Sequence, residues 1–83
     1  MKHLSASEWQ GMVPPGSRVQ LLKTDYGREH GTLGTFTGEV SGGSCPMVIW
    51  DDNGERFGYY AEHIALRSDL APMPVPAHDP SPF

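Results

Sequence analysis

Apolar and polar positions alternate with a period of two along most of this chain. Over Ser17–Lys23 the pattern puts Val19 and Leu21 on one face and Arg18 and Gln20 on the other, which predicts a first strand. Thr32–Val40 continues as a second, with Phe36 and Val40 on one side and Thr35, Thr37 and Glu39 on the other. Gly34 and Gly38 inside it predict a bulge or a sharp bend. The strongest signal runs from Met47 to Tyr60. Met47-Val48-Ile49-Trp50 leads into an acidic turn, and Phe57, Tyr59 and Tyr60 come back out of it. Such residues favour a pleated, half-buried surface. Asn53-Gly54 between them predicts a tight hairpin, because both residues tolerate positive φ. Ala61-Glu62-His63 then has the length of one 3₁₀ turn, and Ile64-Ala65-Leu66-Arg67 alternates as a short last strand.

Other periodicities mark the ends. Ser5 and Glu8 have the spacing of a capping box, and Trp9 and Met12 lie three apart, on one face of a short helix. Pro14-Pro15-Gly16 stops that helix. Thr24–Gly31 is polar and glycine-bounded, an exposed loop, and Ser41-Gly42-Gly43-Ser44 is a flexible turn. From Ala71 onward the character changes, with five of the eight prolines between Pro72 and Pro82. That composition predicts an extended or disordered tail rather than a helix or strand. The expected organisation is an N-terminal arm with a short helix at 1–13, an all-β domain at 14–70 and a proline-rich tail at 71–83.

Composition narrows the function. A chain of 83 residues makes one small domain, which buries only about 60–65% of its unfolded surface. Ten glycines, eight prolines and a hydrophobic fraction of 37% suit short strands and tight turns better than a helical bundle. No apolar run has the length of a membrane span, and Met1-Lys2-His3-Leu4 leads into no signal-peptide core. The single Cys45 excludes an internal disulfide and fits a reducing, cytoplasmic setting. A formal net charge of −4 counts against non-specific binding to nucleic acid.

The strand order and three phrases carry a resemblance. Pro15-Gly16-Ser17-Arg18-Val19-Gln20-Leu21, Gly31-Thr32-Leu33-Gly34-Thr35-Phe36 and Val48-Ile49-Trp50-Asp51-Asp52-Asn53-Gly54 follow one another at suitable spacing. Together they resemble small SH3-like barrel domains of prokaryotic and phage proteins of unknown function. Ending in Asp69-Leu70, the same grammar is similar to the Mind-bomb/HERC-type domain of ubiquitin ligases. The resemblance spans about residues 14–70 and implies a five-stranded SH3-like barrel. Its likeness to ligase domains implies protein or peptide recognition. Phe36, where a small aliphatic residue is usual, and Ala61-Glu62-His63, where a basic or glycine-rich turn is usual, depart from the pattern.

Candidate chemistry is sparse. His3, His30, His63 and His78 are scattered, and Cys45 stands without a second cysteine, so no pair has the short spacing of zinc ligands. Cys45 with His30 or His63 is a conceivable nucleophile pair, but Cys45 precedes a proline, with no helix N-terminus to activate it. An enzyme is not expected, nor a cofactor or metal. Asp51, Asp52 and Glu55 crowd the hairpin turn, either as a patch for a basic partner or divalent ion, or as a solvated turn whose carboxylates satisfy backbone N–H groups; the second is the favoured reading.

The aromatics carry more. Tyr59 and Tyr60 must point to opposite faces of a strand, so burial of one exposes the other. An exposed aromatic cluster anchors protein interfaces, and in the implied barrel it lies between the first long loop and the helical turn. The expected partner-binding residues are Tyr26, Trp50, Tyr59 and Tyr60, set against the alternative that Trp50 is core and the tyrosines cap the barrel. Arg18, Arg28, Arg56 and Arg67 are candidate nucleic-acid contacts if the fold gathers them on one face beside a stacking tyrosine. The proline-rich tail is either a solubilising end or a polyproline-type ligand. The expected function is a non-enzymatic protein-interaction module, of phage or prokaryotic accessory or inhibitor type. A nucleic-acid-binding barrel acting in transcription or replication is the alternative.

Overall fold

In a computed structural model, which describes residues 4–75, the chain begins with helix α1 at Ala6–Met12. The capping box is reciprocal: the Glu8 N–H donates to Ser5 Oγ (3.2 Å) and the Ser5 N–H to Glu8 Oε1 (2.9 Å). Trp9 drives the helix onto the sheet. It is fully buried, with its ring 5.0 Å from that of Phe36 in an edge-on arrangement. Met12, expected on the same face, is 73% exposed, and Val13 is the buried apolar residue instead. The chain turns extended at Val13, ahead of Pro14, so the last apolar contact comes from outside the helix.

Five strands follow: β1 Arg18–Leu21, β2 Leu33–Ser41, β3 Cys45–Trp50, β4 Arg56–Gly58 and, after a 3₁₀ turn at Ala61–His63, β5 Ile64–Leu66. All neighbours are antiparallel in the order β4-β3-β2-β1-β5. The sheet is therefore an open ladder and does not close into the expected barrel. β4 and β5 are three-residue strands at opposite edges, and no pairing joins them among the described residues. The bend predicted in β2 is present. Phe36 pairs with Val48 and Val40 with Pro46, so three residues of β2 face Met47 alone. Gly38 absorbs the excess with φ +94°, and Thr37 Oγ1 donates to the Met47 carbonyl (2.9 Å) where the ladder lapses.

The hairpin between β3 and β4 differs from the expected tight turn. Trp50 N–H donates to the Glu55 carbonyl (3.0 Å) and Gly54 N–H to the Trp50 carbonyl (2.7 Å), enclosing a four-residue loop at 51–54. Gly54 is left-handed and Asn53 is not. The Asn53 side chain instead accepts the Glu55 N–H (2.9 Å), which offers the backbone a different turn. The tight two-residue turn lies at Gly42-Gly43, where both residues have positive φ.

Val19, Leu21, Phe36, Val48, Trp50 and Ile64 form a fully buried core, each contributing about 1.5–3 kcal/mol by leaving water. After β5 the chain has no regular structure through residue 75, yet Met73 N–H donates to the Gly16 carbonyl (2.9 Å), so contact with the domain continues past 71. The rest of the proline-rich tail, with His78, lies outside the described residues, as does His3. No described helix is long and apolar enough to cross a membrane.

Candidate functional site

The loop between β1 and β2 is organised by a turn at Asp25–Arg28. Asp25 N–H donates to the Arg28 carbonyl (3.0 Å) and Arg28 N–H to the Asp25 carbonyl (2.9 Å), with Tyr26 at φ +49° and Gly27 at φ +77°. These angles match a two-residue hairpin turn, whose first position suits Asn, Asp or Gly. Tyr26 is the one non-glycine residue with positive φ among those described, and it is 74% exposed. A side chain of this kind costs about 1–2 kcal/mol there. Tyr26 lies against the ring of Phe57 (5.4 Å between centroids) and above Tyr59 (6.0 Å).

Arg28, at the end of the same turn, holds the loop down. Its guanidinium is buried and spread over several partners: Nε donates to Asp52 Oδ2 (2.9 Å), one terminal nitrogen to Tyr59 Oη (3.2 Å), and the other to Glu55 Oε1 (3.2 Å) and Asn53 Oδ1 (3.3 Å). The cation also lies 5.2 Å from the Trp50 ring centroid. Tyr59 Oη donates in turn to the Asp25 carbonyl (3.1 Å). Burial by itself lowers the Arg28 pKa, but the hydrogen bonds to Asp52, Tyr59 and Glu55 outweigh it and raise it above the ordinary value. The hydrogen bond from Arg28 holds the Asp52 carboxyl below its usual range.

The same acidic turn is held from β1. Arg18, also buried, donates to Thr35 Oγ1 (2.7 Å) and grips both carboxylate oxygens of Asp51. Asp51, Asp52 and Glu55 are thus neither a solvated turn nor an open acidic patch; two buried arginines compensate them. This corrects the expectation for the basic residues. Arg18 and Arg28 face inward, Arg56 pairs with Glu39, and Arg67 pairs with Asp69 (2.6 Å) and reaches Gln20 (2.8 Å). All four candidate nucleic-acid contacts are carboxylate-bound, and they form no positive patch.

Above this clamp lies a hollow of about 280 Å³, lined by Asp25, Tyr26, Cys45, Phe57, Gly58, Tyr59, Tyr60 and His63. Tyr60, 56% exposed, stands edge-on to His63 at 5.9 Å and also borders a shallower hollow of about 530 Å³ with Glu8 and Glu62. Of the four expected anchors, Tyr26 and Tyr60 reach the surface. Trp50 and Tyr59 do not. Trp50 is fully buried beneath Tyr59, edge-on at 5.4 Å, and its indole N–H donates to the Phe57 carbonyl (3.0 Å). They are the floor of the groove, because β3 turns Trp50 inward with Val48. Phe57, Cys45 and His63 were missed as lining residues; the alternation of β4 alone marks Phe57. Among the described residues, no three His, Cys, Asp or Glu side chains come together as a metal site.

Compared with models of known families, with curated proteins and with solved structures, the chain shows no significant match.

Proposed function

We propose that this chain is a non-enzymatic protein-interaction module that takes an extended segment of a partner protein between Tyr26 and Tyr60. One observation carries the reading: an exposed tyrosine is held in a left-handed backbone conformation at the mouth of an aromatic-lined hollow. Backbone strain that benefits no core contact of comparable size gathers at binding sites, and exposed tyrosines over a rigid floor are the usual anchors of interfaces. The long first loop and the 3₁₀ turn flank the hollow, which accords with an SH3-like reading of the open sheet. A phage or prokaryotic accessory or inhibitor protein acting in the cytoplasm is the setting that size and the single thiol favour. The pairing of Arg18, Arg28, Arg56 and Arg67 with carboxylates removes the main support for the nucleic-acid alternative.

The test is capture from native lysate by the tagged chain, with and without nuclease, beside a Tyr26→Ala/Tyr60→Ala variant. A stoichiometric protein that survives nuclease and is lost by the folded variant is the expected result. Capture that the folded variant retains, or that nuclease abolishes, overturns the reading.

A further inference from the structure

Resting on that reading, we infer that the segment accepted by the groove is basic: an extended stretch of a partner protein that presents an arginine or lysine to Tyr60. The two hollows that meet at Tyr60 are lined by Asp25 on one side and by Glu8 and Glu62 on the other, and by no Lys or Arg. The protein's own arginines are committed elsewhere, each to a carboxylate. Asp25 and Glu62 are in no ion pair with an arginine or lysine among the described residues, and the Asp25 carboxylate accepts only the neighbouring Tyr26 N–H (3.0 Å). The excess negative charge of the chain therefore has an outlet at this groove.

Chemistry selects the cation further. A guanidinium or ammonium group is drawn to a tyrosine face, and its aliphatic stem covers apolar surface such as Phe57 and Ala61. The molecule already shows this arrangement internally, where the Arg28 guanidinium lies over Trp50 while bound to carboxylates. An acidic or phosphate-bearing segment meets only repulsion here. A neutral apolar segment leaves the carboxylates without partners. Between the two hollows Tyr60 offers a ring, with carboxylates on both sides.

The experiment is an NMR titration of the full chain with short extended peptides of Pro, Ala and Ser. They carry arginines, or glutamines or glutamates at the same positions. The expected result is shifts at Asp25, Tyr26, Tyr60 and Glu62 with the arginine peptide. Its affinity should be about tenfold above that of the glutamine peptide, with the advantage reduced by salt and lost in Asp25→Asn/Glu62→Gln. Tyr60→Ala, which removes a half-exposed ring, should abolish those shifts while leaving the rest of the spectrum folded. Equal binding of the glutamine peptide at the same residues overturns the basic preference and leaves the groove reading standing. Absence of shifts with every peptide overturns the basic-segment inference, while lysate capture decides the groove separately. Self-association that buries Tyr26 and Tyr60 also overturns it, by making a second copy the occupant.

Discussion

Arg28 and Asp52 stand 24 residues apart in the chain, and their Nε and Oδ2 atoms lie 2.9 Å apart. That contact joins the turn carrying Tyr26 to the loop of the β3–β4 hairpin. The groove's exposed aromatic is thereby positioned by a buried cation rather than by apolar packing of its own loop. Arg28→Ala should destabilise the domain by about 3 kcal/mol, since it removes hydrogen bonds to three side chains and the packing of a buried stem. Arg28→Met, which keeps the stem, should lose less. Urea denaturation measures both. In either folded variant the ring resonances of Tyr26 should move toward exposed values. An unchanged Tyr26 spectrum would show that the loop holds itself.

Acid should weaken the domain through the paired carboxylates. The hydrogen bond from Arg67 brings Asp69 down to about 2, and that from Arg28 lowers Asp52. A carboxyl with a depressed folded pKa binds fewer protons folded than unfolded. Its contribution is therefore present above an unfolded pKa of about 4 and is lost as pH falls through the folded value. Stability should fall between about pH 4 and 2. Asp69 is largely exposed, so salt should shrink its share. In Arg67→Gln, the Asp69 carboxyl should titrate near the ordinary value by carbon-detected NMR, and titration unmoved from about 2 would contradict the pairing.

Much of the fold was legible because it depends on neighbours in sequence. The Ser5–Glu8 capping box, the alternation of Val19 and Leu21, the bend at Gly38 and the 3₁₀ turn at Ala61–His63 are all local patterns. The hairpin loop was misread because Asn53 satisfies the Glu55 N–H with its side chain instead of entering the left-handed region. The site was less legible. Arg18 and Arg28 look like surface cations in sequence, since their partners lie 33 and 24 residues away. Trp50 and Tyr59 alternate properly, but alternation does not say which face the helix and first loop cover. The strain at Tyr26 has no signature beyond a tyrosine preceding a glycine in a polar loop.

That strain gives a separate test. Tyr26→Asn replaces a ring by a residue suited to the left-handed region, so relief of about 1 kcal/mol should offset the lost contact with Phe57. Its thermal midpoint should equal or exceed that of the parent, while partner capture is lost. Tyr26→Val should lose capture and stability together, because a β-branched residue is least tolerated at positive φ. A Tyr26→Asn variant that is clearly less stable than the parent would show that the tyrosine serves the fold.

The central strands test the packing. At Gly34 on β2 a Cβ would meet Val48 Cγ1 at 2.5 Å, with the Ile49 carbonyl oxygen and Trp50 Cε3 each at 3.0 Å. Backbone and a buried ring cannot withdraw as a surface side chain does, and Gly34 pairs with both Val19 and Trp50. Gly34→Ala should therefore cost about 2–3 kcal/mol, as overpacking does. Gly11 near the end of α1 is the matched control, with nothing within 4 Å of an added Cβ. There the alanine should stabilise by about 0.5 kcal/mol, through helix propensity and a less free unfolded chain. Chemical denaturation of the two variants separates them by sign. Equal effects would mean that β2 and β3 do not approach as closely at Trp50 as these distances require, and that the floor of the groove is looser than its geometry indicates.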